Sequence, residues 1–224
     1  MIDTQRLTRW YDFQAPFYRW WRNDYGHPIV QRVTELLAES GPRHALLDAG
    51  CGTGLFTIAL ARAFPRASVD GLDASGGMLR IARREAARNA VRGARFVHGD
   101  LLALPYRDDQ FDGVVVAGVF PGLVDRARAL IELRRVLRSA GRVVLVEFDR
   151  NAMRARTRAF VWILIAGYRL VSSCARRYRF ATGWNLTRST VDRPVLEHEA
   201  RQAGLRICRV ETDHEHLFFV LEKG

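Results

Sequence analysis

A glycine-rich bend between an apolar run and a helical pattern constrains this chain more than any other feature. Residues 45–47 read as a buried strand, Asp48 closes it, and Gly50, Gly52 and Gly54 alternate before a helical pattern over 55–64. Glycine has no Cβ, so backbone at such a bend can pass close to a bound ligand. Open α/β sheets take up ligands at this place, the carboxyl end of a parallel strand. The spacing narrows the choice of ligand. A dinucleotide fingerprint runs G-x-G-x-x-G and needs its third glycine for close helix–strand packing. Here Leu55 stands in that position.

An acid follows at a spacing that suits a ribose. Residues 67–72 read as a second strand ending at Asp73, and an acid roughly 20 residues past a glycine loop suits a ribose diol. A carboxylate accepts from both hydroxyls at once. The rival role for Asp73, a solvated strand-end acid or a cap for the helix starting near Gly76, ranks below it. A third strand, 95–98, leads into Gly99-Asp100-Leu101. The run 113–118 is continuously apolar, as in a strand buried on both sheet faces. A helical pattern over 129–137, a fifth strand at 142–148, a helix at 195–203 stopped by Gly204, and two strands at 205–212 and 216–221 complete the pattern. Strands alternating with helices indicate an α/β fold with a parallel sheet, here closed by an antiparallel hairpin.

Asp48-Ala49-Gly50-Cys51-Gly52-Thr53-Gly54 resembles motif I of the class I S-adenosylmethionine-dependent methyltransferases. Residues 102–112 resemble that family's L-P-F-x-D-x-x-F-D run, and 132–142 its E-x-x-R-V-L-K-P-G-G-x run. Ser139 replaces the proline and Ala140 the first glycine, departures expected to alter a turn remote from the pocket. The aromatic stretch 10–21 resembles the preamble of ubiquinone/menaquinone-biosynthesis methyltransferases. The resemblance covers 10–150 well and 195–222 in outline. It implies a Rossmann-like three-layer sandwich, α/β, with a seven-stranded mostly parallel sheet, a reversed last strand and a helical cap insertion.

It also implies S-adenosyl-L-methionine as cofactor. Asp48, Gly50, Cys51, Gly52, Thr53 and Gly54 would then form the loop over its methionine part, Asp73 would take the ribose, and Ala74 and Met78 are also expected to bind the cofactor. Asp100 would pair with the adenine amine, the Leu101 backbone would read the ring, and Ala117 would sit beside the methionine end. Tyr18, with Tyr11 as alternate, would close over the cofactor, whereas Phe13, Phe17 and Trp20 are read as packing residues.

The resemblance implies that the 224 residues form one methyltransferase domain, with a helical cover expected over 1–40 and a basic apolar helical insertion over 150–191. Cys51, Cys174 and Cys208 are scattered, with neither a disulfide framework nor metal-ligand spacing, so no metal is expected and a reducing cytoplasm fits. No signal-peptide pattern is visible. The charge is unevenly placed: of a formal +11, nine arginines and no acid fall within 150–191, leaving +2 elsewhere. That segment holds the apolar run 160–168, about half of what a membrane-spanning helix needs. It reads first as a substrate lid and second as a helix lying peripherally on an anionic membrane, and the two are compatible. With 34 arginines beside one lysine, compositional bias also contributes. Nucleic acid is a less favoured partner, because no binding module interleaves with the arginines and the fourth strand ends in Ala117-Gly118-Val119-Phe120.

Methyl transfer from a sulfonium is an in-line displacement that needs alignment and exclusion of water. A base is required only if the acceptor must first lose a proton. His98, Asp125, Glu147, Asp149, His214 and His216 are candidates, and Glu147 and Asp149, ending the fifth strand on the ligand side, are preferred. The expected acceptor is small or lipid-like, of the quinone-precursor or phospholipid type. A soluble natural-product acceptor and a catalytically silent cofactor-binding scaffold are the alternatives. The sequence does not specify the oligomeric state.

Overall fold

The computed structural model describes residues 8–9, 11–12, 15, 27–39, 41, 43–149, 190–213 and 215–224. Helix α1 (His27–Ala38) precedes β1 (Ala45–Ala49), α2 (Leu55–Ala63), β2 (Ser68–Asp73), α3 (Gly76–Arg88), β3 (Ala94–His98) and β4 (Phe111–Ala117). A 3₁₀ turn (Phe120–Gly122), α4 (Arg126–Val136), β5 (Leu137–Asp149), β6 (Thr190–Val191), α5 (Arg193–Gln202), β7 (Leu205–Asp213) and β8 (His216–Lys223) follow.

The strands form one sheet in the order β3-β2-β1-β4-β5-β8-β7, with β6 added beside β5. Strands β1 to β5 pair in parallel, and β8 runs antiparallel to both β5 and β7. The reversed last strand expected from the sequence is therefore present. Its reversal follows from the short β7–β8 connection, which only an antiparallel pair can accept.

Alternate side chains of the central strands feed two separate cores. Leu46, Val144, Val146, Phe218 and Val220 pack on one face, while Leu47, Val143, Leu145, Leu217 and Phe219 pack on the other. Helix α1 closes the first face through Ile29, Val33, Leu36 and Leu37, a stripe at helical spacing. Within the expected 1–40 cover, this described helix is thus a layer of the sandwich. Leu130, Leu133 and Val136 of α4 and Leu196 and Ala200 of α5 close the second face. Caps set the helix starts: the Met78 N–H donates to Ser75 Oγ (3.1 Å) and the Arg128 N–H to Asp125 Oδ1 (2.9 Å). Gly204, at φ +75°, ends α5.

Two elements differ from the sequence pattern. Strand β5 begins at Leu137, directly on the end of α4, rather than at residue 142. Its pairing with β4 slips from Phe111–Leu137 to Gly113–Arg142, and the intervening residues carry Ala140 at φ +59°. The slip absorbs extra residues that an apolar count cannot see. The second is β6, two residues long, which pairs Thr190 with Phe148 and Val191 with Asp149. The chain thus leaves the sheet after β5 and re-enters beside the same carboxyl end.

Candidate functional site

The carboxyl ends of β3, β2, β1 and β4 lie side by side and carry nearly all the residues singled out from the sequence. The loop after β1 is held by its own backbone. Gly50 and Cys51 N–H both donate to the Leu72 carbonyl (2.7 and 2.9 Å), and Gly54 N–H donates to the Cys51 carbonyl (2.8 Å). Gly52 N–H donates to Asp73 Oδ2 (2.8 Å). Four loop amides are thereby committed within the protein, whereas a pyrophosphate site needs such groups turned toward the ligand. Gly50 adopts φ +85°, and a Cβ there would lie 2.4 Å from Val119 Cγ2. Only glycine lets the loop approach the end of β4 this closely. At Gly52 a Cβ would meet nothing within 4 Å, so the loop has open space on that side.

Asp73 is fixed by backbone on both oxygens: Oδ2 by Gly52 N–H and Oδ1 by Ser75 N–H (2.8 Å). Burial raises its pKa above the usual carboxylate range, and these two N–H groups only partly counter it. Asp100, two residues past β3, accepts the Leu102 N–H on Oδ1 (2.9 Å). The Ala74 carbonyl lies 2.8 Å from His98 Nε2. Gly50, Gly52, Thr53, Asp73, Ala74, Asp100 and Ala117 are all partly exposed on this end of the sheet.

Other predicted residues are buried. Asp48 is 1% exposed and accepts the Thr57 hydroxyl on Oδ2 (2.6 Å). Desolvation pushes its pKa up to about 7, against the lowering effect of Thr57. Cys51, Met78 and Leu101 are also buried, and loss of solvation lifts the Cys51 thiol well above its ordinary value. That shift opposes thiolate formation, in keeping with a small loop residue rather than a nucleophile.

Among the base candidates, Glu147 is fully buried, and its Oε1 accepts the N–H groups of both Val119 and Phe120 at 2.9 Å. It fastens the turn after β4, and so the Val119 side chain that abuts Gly50. Asp125 caps α4, His98 meets the Ala74 carbonyl, and the His216 ring lies 4.5 Å from that of Phe148. Tyr18, His214 and the side chain of Asp149 lie outside the described residues, as does the insertion from 150 to 189.

Sequence reasoning missed two residues, Ser75 and Asp12, and the role of a third, Glu147. Ser75 links Asp73 to the start of α3 and carries a recognisable capping signal, a serine just before a helical run. The loop-fastening role of Glu147 and the contact of Asp12 with Ser75 and Gly77 carry no local signal, because their partners are 27 to 28 and more than 60 residues away.

Residues 47–145 match the family model described as a methyltransferase domain. The chain is similar to a demethylmenaquinone methyltransferase of Thermus thermophilus, with 41% identity over 118 residues, 53% of each chain. It is similar to one of Thermotoga maritima, with 39% identity over 117 residues, 52% of this chain and 48% of the relative. The chain thus spans about half the length of the curated relatives it matches. In fold it is similar to the crystal structure of the [4+2]-cyclase SpnF, with a TM-score of 0.72 and 20% identity over 98% of this chain and 96% of that one.

Proposed function

We propose that the protein transfers a methyl group from S-adenosyl-L-methionine to a quinone precursor, a reading supported by the match of residues 47–145 to the methyltransferase-domain family model and by the mostly parallel sheet that carries them. The observation that carries the cofactor is the pairing of a self-satisfied glycine loop with an acid held by Gly52 and Ser75. Such a loop suits a cofactor without phosphates, and the Asp73 carboxylate is pre-oriented for a ribose diol. When bound, that cofactor supplies a methyl already activated on a sulfonium.

The chain's own residues then bind and align. Asp73 takes the ribose hydroxyls, Asp100 the adenine amine, and Gly52 and Thr53 the methionine side. Ala117, on the partly exposed end of β4, borders the acceptor. Glu147 acts by holding the Val119–Phe120 turn rather than as a base, since Oε1 already accepts two N–H groups. Tyr18 and Asp149 are carried forward from the sequence as a cover and a site-facing acid.

The acceptor is inferred from the name demethylmenaquinone methyltransferase borne by both relatives, which match about half of this chain. The basic apolar segment supports a membrane-held acceptor of this kind. Both its flanks, at Phe148–Asp149 and Thr190–Val191, pair at the ligand end of the sheet. No helix among the described residues is long and apolar enough to cross a membrane. Peripheral contact through the segment is proposed from its apolar run bracketed by arginines. A sheet of this fold also serves a cyclase, so the fold alone does not carry the transfer activity.

The test is to incubate the protein with methyl-labelled cofactor and a demethylated naphthoquinone bearing a prenyl tail. Label is expected in the quinone. Binding of S-adenosylhomocysteine without label transfer to this acceptor or a cell extract would leave the scaffold reading standing. Flotation on liposomes should require anionic lipid and decline with salt.

A further inference from the structure

Asp12 reaches the site from the amino-terminal part of the chain. Its Oδ1 accepts the Ser75 hydroxyl at 2.6 Å and the Gly77 N–H at 2.8 Å. Ser75 is 1% exposed and is shared between two acids, giving its hydroxyl to Asp12 and its backbone N–H to Asp73. The same hydroxyl oxygen accepts the Met78 N–H, so its orientation is set from both sides. An unbroken chain of bonds runs from Asp12 through Ser75 to the Asp73 carboxylate.

The contact face is built for close approach. A Cβ placed on Gly77 would lie 2.9 Å from Asp12 Oδ1 and 3.2 Å from the Cβ of Ala15, which is itself buried. Gly77 does not need glycine for its own backbone, since its φ is not in the left-handed region. Gly77 therefore serves the close approach of Asp12 and Ala15. Asp12 is solvent-exposed, and it remains ionised because the Ser75 hydroxyl, the Gly77 N–H and the nearby Arg80 outweigh its burial. Its charge also opposes ionisation of Asp73, so its benefit to the site comes through geometry and not through charge.

We propose that Asp12 is a positioning residue for the ribose acid: by fixing Ser75 it holds Asp73 in the orientation that receives the cofactor's hydroxyls. The inference rests on the cofactor assignment above and adds to it a dependence on the amino-terminal segment. By linkage, cofactor binding in turn tightens the contact of Asp12 with Ser75 and Gly77.

The experiment is calorimetry on the full chain with S-adenosylhomocysteine and with its 2′-deoxyribose analogue. Asp12→Ala should weaken the first by about tenfold and the second by less than about twofold, the size expected for one charge-assisted contact. Asp12→Asn keeps an acceptor for both donors and should stay within about twofold of the unaltered chain. Gly77→Ala, which touches neither Asp73 nor the glycine loop, should reproduce the Asp12→Ala loss, and the double variant should be no worse than either alone. Equal losses for both ligands would mean general loosening and would overturn the assignment. Unchanged binding in Asp12→Ala beside normal binding by the unaltered chain overturns the role of Asp12 alone. Failure of the unaltered chain to bind S-adenosylhomocysteine overturns the cofactor reading and this inference with it.

Discussion

The two ends of one sheet treat their acids in opposite ways. At the amino end, acids are matched with cations: Asp112 with Arg138, Asp70 with Arg95, Glu222 with Arg142 and Arg206, and Asp109 with Lys223. At the carboxyl end, Asp48 and Asp73 are held by a hydroxyl and by backbone N–H groups, with no arginine or lysine among the influences on either. The pKa directions follow. Burial pushes Asp112 and Glu222 up but their hydrogen-bonded partners more than offset it, whereas burial wins at Asp48 and Asp73. An acid neutralised by arginine is spent on stability. An acid left without a cation keeps its acceptor capacity for a ligand, and its desolvation costs stability until that ligand arrives.

This contrast can be broken most forcefully at Asp112, which accepts His44 N–H, Ala45 N–H and the Arg138 guanidinium. Asp112→Ala should cost about 3 kcal/mol in urea unfolding by stranding those donors, while leaving S-adenosylhomocysteine affinity intact. A loss below about 1 kcal/mol would mean that the amino-end pairs are merely solvated.

Asp48 should show the opposite pH sign. Its folded pKa, about 7, lies above the ordinary 3.8, so the native state binds more protons between those values. Stability should therefore decline as pH rises from about 4 to 7, by roughly 2–4 kcal/mol. Asp112, held low, loses its contribution only as pH falls below the unfolded carboxylate value. Asp48→Asn should flatten the neutral-side decline in unfolding titrations at pH 5 and pH 8. An unchanged slope would place Asp48 in a wetter setting than its 1% exposure indicates.

Asp73→Ala should weaken S-adenosylhomocysteine binding by ~1–3 kcal/mol through unpaired ribose hydroxyls, with thermal stability nearly unchanged because a desolvated acid is removed. A large drop in melting temperature with normal binding would move Asp73 to the structural class. The smallest effect is expected far from the ligand, at Ala140. Ala140→Gly should raise stability by ~0.5–1.5 kcal/mol, because an L side chain at φ +59° is strained.

The Ala140 case also marks how far sequence reading reaches. The Ser139-Ala140 departure was visible as a substitution in a motif, and its remoteness from the ligand end was legible too. That it lies inside β5, within a register slip, was not, because a slip is defined by the partner strand. Glu132 and Arg135 illustrate the same limit. Their spacing was part of a recognised run, yet only packing shows why: Glu132 accepts the Leu104 N–H and a two-pronged contact from Arg135, which also reaches the Leu104 and Tyr106 carbonyls. The pair clamps the loop between β3 and β4, and the guanidinium holds the Glu132 carboxyl below its usual range. Glu147 was legible as an acid at a strand end, but its two N–H donors come from a turn 27 and 28 residues earlier.

By itself the sequence determined the local features. Period and apolar runs set the strands, the glycines set the bend after β1, and the spacing to Asp73 and Asp100 set which strand ends carry acids. These depend on neighbours in the chain, where backbone sterics and side-chain alternation act directly. Tertiary structure alone decided which acids meet cations, that Asp48 is buried against Thr57, and that Asp12 joins Ser75 across the fold. Desolvation and hydrogen bonding depend on what surrounds a group in space, and the chain brings those surroundings from residues far apart along it.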